Sequence, residues 1–318
     1  MNTPKRIQLA YLPTPLQQLS FQNKKFVVKR DDLSGLEMSG NKVRKLEYIL
    51  YQAKKMNSDV IFTCGGEQSN HARATAVACA KLGLTCRLFL WGSNKKSTEG
   101  NLFFDKLSGC KITFLDKAEY AKVNEIMFEE RKKLLKHGKN VYVIPEGGST
   151  TLGIWGYISF IEELGKQIPL QNFSGILTAA GSGGTAAGLL IGSSIMGLNL
   201  KIYAVNVLYS KLTIQNKVLR LAEACNLEYK LNASIDPANL VVLDGYSNEG
   251  YKEISMDKIK LIKNLFMQTG ILLDPAYTGK AFNAYYDHFL GKRKEQVIFL
   301  HTGGLFGVFA KSKKYLSA

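Results

Sequence analysis

Short apolar runs rich in β-branched residues alternate with longer stretches of helical periodicity along this chain. The short runs predict strands at 25–29, 60–63, 86–90, 111–115, 141–144, 175–179, 201–207 and 296–301. The longer stretches predict helices at 45–56, 71–82, 118–136, 153–167 and 185–196. Strands that alternate with helices are typical of a parallel sheet with helices on both faces, so we predict an α/β fold.

Glycine-rich turns follow four of the predicted strands, at 65–66, 147–148, 181–184 and 303–304. In open α/β sheets, ligands bind beyond the carboxyl ends of the strands, so we expect these turns to form one composite site. The segment from about 46 to 157 is a self-contained series of strand–helix units. We therefore expect a smaller α/β domain, residues 47–157, inserted into a larger domain formed by 1–46 and 158–318.

The composition is that of a folded globular protein, since 46% of the 318 residues are hydrophobic and 21% are charged. The net charge of +16 would suit nucleic acid or another anionic partner. The lysines, however, are scattered in pairs, with no long basic run and no interleaved aromatic residues. We therefore expect lysine-rich solvated surfaces and no nucleic-acid partner.

The cysteines and the N-terminal sequence bear on the compartment. The five cysteines are odd in number and form no Cys-x-x-Cys pair, which argues against a disulfide framework or a metal site and indicates a reducing cytosol. The first residues lack an apolar segment of signal-peptide length, and no run of about 18 apolar residues occurs. We expect a soluble cytoplasmic protein that binds no membrane and no metal.

The run 181–188, Gly-Ser-Gly-Gly-Thr-Ala-Ala-Gly, follows a predicted strand and opens an apolar helix. Glycines let backbone N–H groups approach an anion, and a helix N-terminus favours negative charge. A dinucleotide site would need an acidic residue about 20 positions on. Residues 203–207 contain none, and the Gly-Lys-Ser/Thr ending of a P-loop is also missing. A cradle for a single phosphate is favoured, and a tight turn without a ligand is the alternative.

Lys42 is the candidate reactive lysine, in the run Ser-Gly-Asn-Lys-Val-Arg-Lys at 39–45. A lysine that forms a Schiff base must lose its proton, and the nearby cations Arg44 and Lys45 favour that loss. A lysine in a basic stretch is more often a surface residue, so this motif carries little weight by itself.

Two other regions offer polar groups to a site. Ser69 and Asn70 start an alanine-rich helix, where they could bind a carboxylate or a hydroxyl group, or simply cap the helix. The motifs at 274–280 and 301–304 each end an apolar run and offer tyrosine and threonine donors.

In this order the motifs resemble the fold-type-II pyridoxal-phosphate (PLP) enzymes, the tryptophan-synthase β-like group. Within that group they resemble the D-cysteine desulfhydrase/1-aminocyclopropane-1-carboxylate (ACC) deaminase family. The resemblance runs from Leu-Pro-Thr-Pro-Leu at 12–16, through KRDDLSGLEMSGNKVRKLEYIL and GGEQSNHARATA, to His-Thr-Gly-Gly at 301–304. It implies two open, twisted, mostly parallel sheets with helices on both faces, PLP as the cofactor, a small amino-acid substrate and a homodimer.

The resemblance also implies roles for individual residues. Lys42 would carry the cofactor as a Schiff base, and Asn70 would bond its 3-hydroxyl group. Lys45 would assist five loop residues that hold the phosphate: Gly181, Ser182, Gly183, Gly184 and Thr185. Two further residues would contact the cofactor: Thr278 and Thr302. Besides Lys42, the expected catalytic residues are Ser69, Tyr251 and Tyr277. The expected substrate-binding residues are Ser69, Asn70, His71, Gly148 and Trp155.

The residue after the active-site tyrosine bears on the substrate. ACC deaminases have a glutamate there, near the pyridine nitrogen, whereas D-cysteine desulfhydrases and this chain have a threonine, Thr278. A hydroxyl strengthens the electron sink less than a carboxylate, and expulsion of a thiolate needs less help than the opening of a cyclopropane. We therefore expect an α,β-elimination that converts D-cysteine to pyruvate, hydrogen sulfide and ammonia.

Three residues depart from the family pattern: Glu67, Glu146 and Trp155. An extra acid or a large ring near the pocket changes its size and charge. ACC, cysteate and β-chloroalanine therefore stay open as alternative substrates. A nucleotide-binding oxidoreductase and a catalytically silent cofactor-binding protein are the alternatives from other classes.

Overall fold

The structure, a computed structural model, describes residues 3–92, 98–250, 253–292 and 296–318. Within them ten strands form two sheets. The six-stranded sheet has the order β1-β2-β10-β7-β8-β9, and its strands are β1 Leu16–Phe21, β2 Lys24–Arg30, β7 Gly175–Ala180, β8 Lys201–Asn206, β9 Leu240–Leu243 and β10 Val297–His301. The four-stranded sheet has the order β5-β4-β3-β6, and its strands are β3 Val60–Gly66, β4 Thr85–Trp91, β5 Lys111–Leu115 and β6 Val141–Val143.

Neighbouring strands are parallel in both sheets, except for the antiparallel pair of β1 and β2. The described helices are α1 Asn41–Lys55, α2 Asn70–Leu82, α3 Asn101–Leu107, α4 Lys117–Ala121, α5 Val123–Lys136, α6 Trp155–Gln167, α7 Gly184–Ile195, α8 Lys211–Tyr229, α9 Met256–Thr269, α10 Thr278–His288, α11 Leu305–Phe309 and α12 Ser312–Leu316. Every helix among these is too short or too polar to span a bilayer.

Each sheet is covered by helices on both faces, as side-chain alternation along its strands shows. In β3, Ile61 points into a core shared with α1 and α2, whereas Val60 and Phe62 point into a core shared with α5. Both sets are apolar because a parallel strand covered on both sides has no solvent face. In the six-stranded sheet, α6, α7 and α8 cover one face, and α9 and α10 cover the other.

The predicted α/β fold is confirmed, and every predicted strand and helix is present. The predicted helix 118–136 is divided into α4 and α5. The prediction missed the edge strands β1, which is mostly exposed or partly exposed, and β9, which alternates buried and partly exposed residues. It also missed the helices α3, α8, α9, α10, α11 and α12. In α8 the fully buried residues form only a narrow stripe on a polar helix: Ile214, Val218, Ala222 and Cys225. The four-stranded sheet lies within 47–157, and the domain boundaries themselves stay a prediction.

Candidate active site

A cavity of about 700 Å³, partly open to solvent, lies between the two sheets. Its walls come from the start of α1 and from the turns after β3, β6, β7, β8 and β10. The carboxyl ends of strands from both sheets therefore meet at one site, as their glycine-rich turns predicted.

The start of α1 is bound to the turn after β10. The Asn41 N–H donates to the carbonyl oxygen of Thr302 over 3.0 Å. Gly40 has φ of 103°, and a Cβ there would lie 2.6 Å from the same oxygen, so only glycine permits this approach. The second residue of α1, Lys42, enters the cavity, and its Nζ lies 3.6 Å from the position that a Cβ on Gly147 would occupy.

Two lysines from one face of α1 line the cavity. Burial lowers the pKa of Lys42 to about 8, and the carboxylate of Glu146 opposes this shift. Burial, and then the charge of Lys42, hold the pKa of Lys45 well below its usual range. A buried lysine with a lowered pKa has a larger fraction of neutral amine near neutral pH than an exposed lysine, and the neutral amine is the form that reacts with an aldehyde.

A buried network of charges holds α1 in place. The Arg44 guanidinium donates to both oxygens of Asp31, over 2.9 and 2.8 Å, and to Glu163 Oε2 over 2.8 Å. The Lys29 ammonium donates to Glu163 Oε1 over 2.6 Å. Since Lys29 lies in β2 and Glu163 in α6, the network ties α1 to the six-stranded sheet and to α6.

The loop that opens α7 forms an anion cradle with Lys45. Lys45 Nζ donates to Ser149 Oγ over 3.2 Å, and Ser149 Oγ lies 2.8 Å from Ser182 Oγ. Gly183 has φ of 86°, and a Cβ on Gly184 would lie 2.6 Å from Lys45 Nζ. Backbone N–H groups, hydroxyl groups and the Lys45 amine therefore converge at a place that any side chain at 184 would enter, and such a set of donors suits a phosphate.

The start of α2 supplies further polar groups to the cavity. The Ser69 hydroxyl accepts from the Ala72 N–H over 3.2 Å, so Ser69 caps the helix as well as lining the cavity. The Asn70 side-chain oxygen accepts from Asn101 Nδ2 over 3.0 Å. This bond orients the Asn70 amide, whose nitrogen remains a donor.

His71 lies in the cavity wall as a neutral ring. The Thr63 hydroxyl donates to the carbonyl of Ile144 over 2.9 Å, so it must accept from His71 Nε2, which lies 2.9 Å away. Burial, followed by the charges of Lys42 and Lys45, lowers the pKa of His71 well below its usual range, and the ring is neutral. His71 Nδ1 therefore carries a lone pair and is buried without a hydrogen-bond partner among the described residues.

The two C-terminal motifs close the cavity. Tyr277 lies over the cradle, with Cε1 3.1 Å from the position of a Cβ on Gly181, and Thr302 also lines the wall. Beneath them, one oxygen of the Asp274 carboxylate accepts from the backbone N–H of Tyr277 over 2.9 Å. Its other oxygen accepts from the Thr278 hydroxyl over 2.6 Å.

Most of the predicted site residues line this one cavity: Lys42, Lys45, Ser69, Asn70, His71, Gly181, Ser182, Gly183, Gly184, Thr185, Tyr277 and Thr302. Tyr251 lies outside the described residues.

Three of the predicted site residues need correction, because they lie behind the cavity wall. Thr278 is fully buried and its hydroxyl binds Asp274. Gly148 lies beneath His71, since a Cβ there would be 3.3 Å from His71 Cε1. The Trp155 ring is fully buried in the core and packs edge-on against Tyr229, with ring centroids 5.3 Å apart. Their bulk or conformation supports the wall, and they do not line it.

The sequence did not assign a role to several residues that the structure places at the site. Asn41 and Leu208 line the cavity, and so does Glu146, which the sequence marked only as unusual. Asn41 could have been found from its place beside Lys42 at a helix start. Leu208 follows β8 in a turn without glycine, so no local signal marked it.

The sequence model of the family described as pyridoxal-phosphate dependent enzymes matches residues 7–303. The chain belongs to this family, and pyridoxal 5'-phosphate is its cofactor. The site fits that group, because a buried lysine lies beside a phosphate cradle that a single Cβ would fill.

Named relatives refine the class. A Thermotoga maritima protein provisionally named a 1-aminocyclopropane-1-carboxylate deaminase is 41% identical over 319 residues, covering 97% of this chain and 99% of that protein. The Arabidopsis thaliana mitochondrial bifunctional D-cysteine desulfhydrase/1-aminocyclopropane-1-carboxylate deaminase is 34% identical over 322 residues, covering 95% and 79%. A crystal structure of an ACC deaminase homologue matches with a TM-score of 0.90 at 34% identity, covering 99% and 96%. The predicted fold-type-II membership and the resemblance to this group are confirmed.

Proposed function

We propose that the protein is a carbon–sulfur lyase that removes the β-substituent of a small amino acid. With D-cysteine and water the products would be pyruvate, hydrogen sulfide and ammonia. The observation that carries the proposal is the buried Lys42 amine, whose pKa of about 8 makes it a base as well as the point of cofactor attachment. The Arabidopsis relative, whose name includes D-cysteine desulfhydrase, supports the same class of substrate.

Several of the residues that line the cavity have a part in this reaction. The loop at 181–185 and Lys45 hold the phosphate, and the Asn70 amide donates to the ring hydroxyl. The bound cofactor supplies an electron sink for the pair left at Cα when its proton departs. Lys42 takes that proton on Nζ, and Tyr277 donates a proton from its hydroxyl to the departing sulfur. His71 Nδ1 accepts a hydrogen bond from the substrate.

The preference for D-cysteine over ACC rests on the wall formed after β10. Thr302 lines that wall, and the nearest carboxylate, Asp274, lies behind it with its oxygens bonded to backbone N–H groups and to Thr278. The acid that does line the cavity, Glu146, comes from the other sheet. A site without a carboxylate at this wall suits a substrate with a good leaving group.

Absorbance and product assays test this proposal. The purified protein should be yellow, and Lys42→Ala should abolish the band, whereas the exposed-lysine control Lys132→Ala should keep it. Holoenzyme should then release pyruvate and sulfide from D-cysteine in a panel with L-cysteine, β-chloro-D-alanine, D-serine and ACC. Formation of 2-oxobutyrate from ACC alone would overturn the choice of substrate. A homodimer remains a proposal that follows from the resemblance, and a cytoplasmic location remains one that follows from the cysteine pattern.

A further inference from the structure

Glu146 is the one acidic residue that lines the cavity within the part of the chain that the structure describes. It lies in the short 3-10 turn Glu146–Gly148 that follows β6, next to Gly147, which faces Lys42. Its charge reaches the reactive lysine, since it opposes the lowering of the Lys42 pKa by burial. The phosphate cradle makes no use of it, because a carboxylate repels a phosphate.

Two tyrosines hold the Glu146 carboxylate from two sides. The Tyr120 hydroxyl donates to Oε1 over 3.1 Å, and the Tyr209 hydroxyl makes a longer contact of 3.5 Å with Oε2. Tyr120 lies in α4, which follows strand β5 of the four-stranded sheet, whereas Tyr209 follows strand β8 of the six-stranded sheet. Burial, and then the charge of Glu146, raises the pKa of Tyr209 to about 12, so this hydroxyl keeps its proton as a donor.

A fixed negative charge in a partly buried cavity discriminates between ligands by charge. A substrate already brings one anion, its α-carboxylate, and the α2 start can accept it through Ser69 and backbone N–H groups. A second anion on the β-carbon would meet the carboxylate of Glu146 instead. Like charges brought together in a binding site are strongly disfavoured, and such repulsion is a general source of specificity.

We propose that Glu146, oriented by Tyr120 and Tyr209, selects the β-substituent of the substrate. It excludes anionic substituents such as sulfonate and admits neutral or cationic ones such as thiol or ammonium. This inference rests on the proposed function, since it assumes that the cavity takes a β-substituted amino acid. Within that class it separates cysteine from cysteate, which the sequence left as alternatives.

The test compares Glu146→Gln holoenzyme with the unsubstituted protein on three amino acids: cysteine, cysteate and 2,3-diaminopropionate, each as both enantiomers. Glutamine keeps the size of the side chain and an oxygen for Tyr120 but removes the charge. Because Glu146 also acts on Lys42, the readout is kcat/KM relative to that for cysteine: we expect the cysteate/cysteine ratio to rise by about tenfold or more and the 2,3-diaminopropionate/cysteine ratio to fall by about tenfold. The matched control is Glu129→Gln, which removes one charge from an exposed site on α5 and should leave both ratios unchanged.

A second measurement separates this inference from the proposed function. Dissociation constants for the three amino acids can be obtained from the absorbance change of the holoenzyme, whether or not a 2-oxo acid forms. If no compound is turned over but cysteate binds more tightly after Glu146→Gln, the elimination proposal fails and the charge selection stands. Equal changes in the dissociation constants of all three compounds, or an unchanged dissociation constant for cysteate, would overturn the role of Glu146 even in an active enzyme.

Discussion

At the scale of single residues, burial decides the chemistry of Lys42. The sequence places this lysine beside two other cations, but the larger cause of its lowered pKa is the loss of water around Nζ. Glu146 acts in the opposite direction, so the pKa of about 8 is a balance between an apolar enclosure and one carboxylate.

This balance predicts how cofactor loading depends on pH. The neutral amine exists above the pKa of Lys42, so the loading rate of cofactor-free protein should rise with pH up to about 8 and then level off. Glu146→Gln removes an effect that raises the pKa, so the midpoint should move to lower pH. The growth of the yellow band after mixing with PLP measures the rate. An unmoved midpoint in Glu146→Gln, judged against Glu129→Gln, would contradict the assignment.

A second residue-scale prediction concerns the cradle. In Gly184→Ala the new Cβ would lie 2.6 Å from Lys45 Nζ, so it should weaken PLP binding by about tenfold or more. Gly165→Ala is the matched control, because a Cβ on this α6 glycine would make ordinary contacts with Met196 at 3.4 Å and Leu170 at 3.6 Å. The control should bind PLP normally. Equal dissociation constants for the two variants would show that the cradle does not hold the phosphate.

At the scale of elements, α1 is the part that brings the chemistry to the site. It carries both cavity lysines, and its position depends on Arg44 with Asp31 and Glu163. Burial disfavours the charge on Glu163, but its bonds to Arg44 and Lys29 outweigh that effect and lower its pKa to about 2. The network is therefore charged at neutral pH.

Disruption of this network should be costly. Arg44→Met leaves Asp31 without its cationic partner and leaves Glu163 with Lys29 alone. It should lower the free energy of unfolding by about 3–5 kcal/mol, measured by urea denaturation. Lys132→Met, which removes an exposed pair with Glu129, is the control and should cost under about 1 kcal/mol.

Acid should weaken the same network in a predictable pH window. Because the folded-state pKa of Glu163 is depressed to about 2, its contribution is present above the unfolded value of about 4.3 and is lost as pH falls towards 2. The stability difference between the unsubstituted protein and Glu163→Gln should therefore narrow below about pH 5. Urea denaturation between pH 6 and pH 3.5 measures this difference in the free energy of unfolding. A difference that stays constant over this pH range would contradict the ion pairing of Glu163.

At the scale of the whole molecule, the site exists only where the two sheets meet. Lys42, Thr302 and the cradle belong to the side of the six-stranded sheet, whereas Ser69, His71 and Glu146 follow strands of the four-stranded sheet. A cofactor in the cavity contacts both sides and stabilises the folded state over the unfolded one.

Cofactor removal should therefore destabilise the molecule. Holoenzyme treated with hydroxylamine and dialysed should melt at a lower temperature, and added PLP should restore the original value. The Lys42→Ala variant, which cannot hold PLP covalently, is the control and should show a smaller change. Identical melting temperatures with and without PLP would indicate that the cofactor does not join the two sides.

Local signals were sufficient for the fold class and for most of the predicted site residues that the structure brings together in one cavity. Alternating short and long apolar patterns mark the buried strands, and glycine runs mark their ends, because both depend on residues close in sequence. The same reasoning missed β9 and α8, where burial is partial, and it placed Thr278 and Trp155 in the cavity. Nothing near these two residues in the sequence shows that one binds Asp274 and the other packs on Tyr229.

The sequence by itself determined the α/β fold through its alternating patterns, and its contiguous motifs proposed Lys42 and the 181–185 loop as the cofactor site. Only the tertiary structure decided which lone pairs and charges face the substrate. The tautomer of His71 depends on Thr63 and Ile144, and the carboxylate of Glu146 depends on Tyr120 and Tyr209. Lys42 itself became a base with a pKa of about 8 only through enclosure by both sheets. Such properties arise from distances between segments far apart in the chain, which no local pattern specifies.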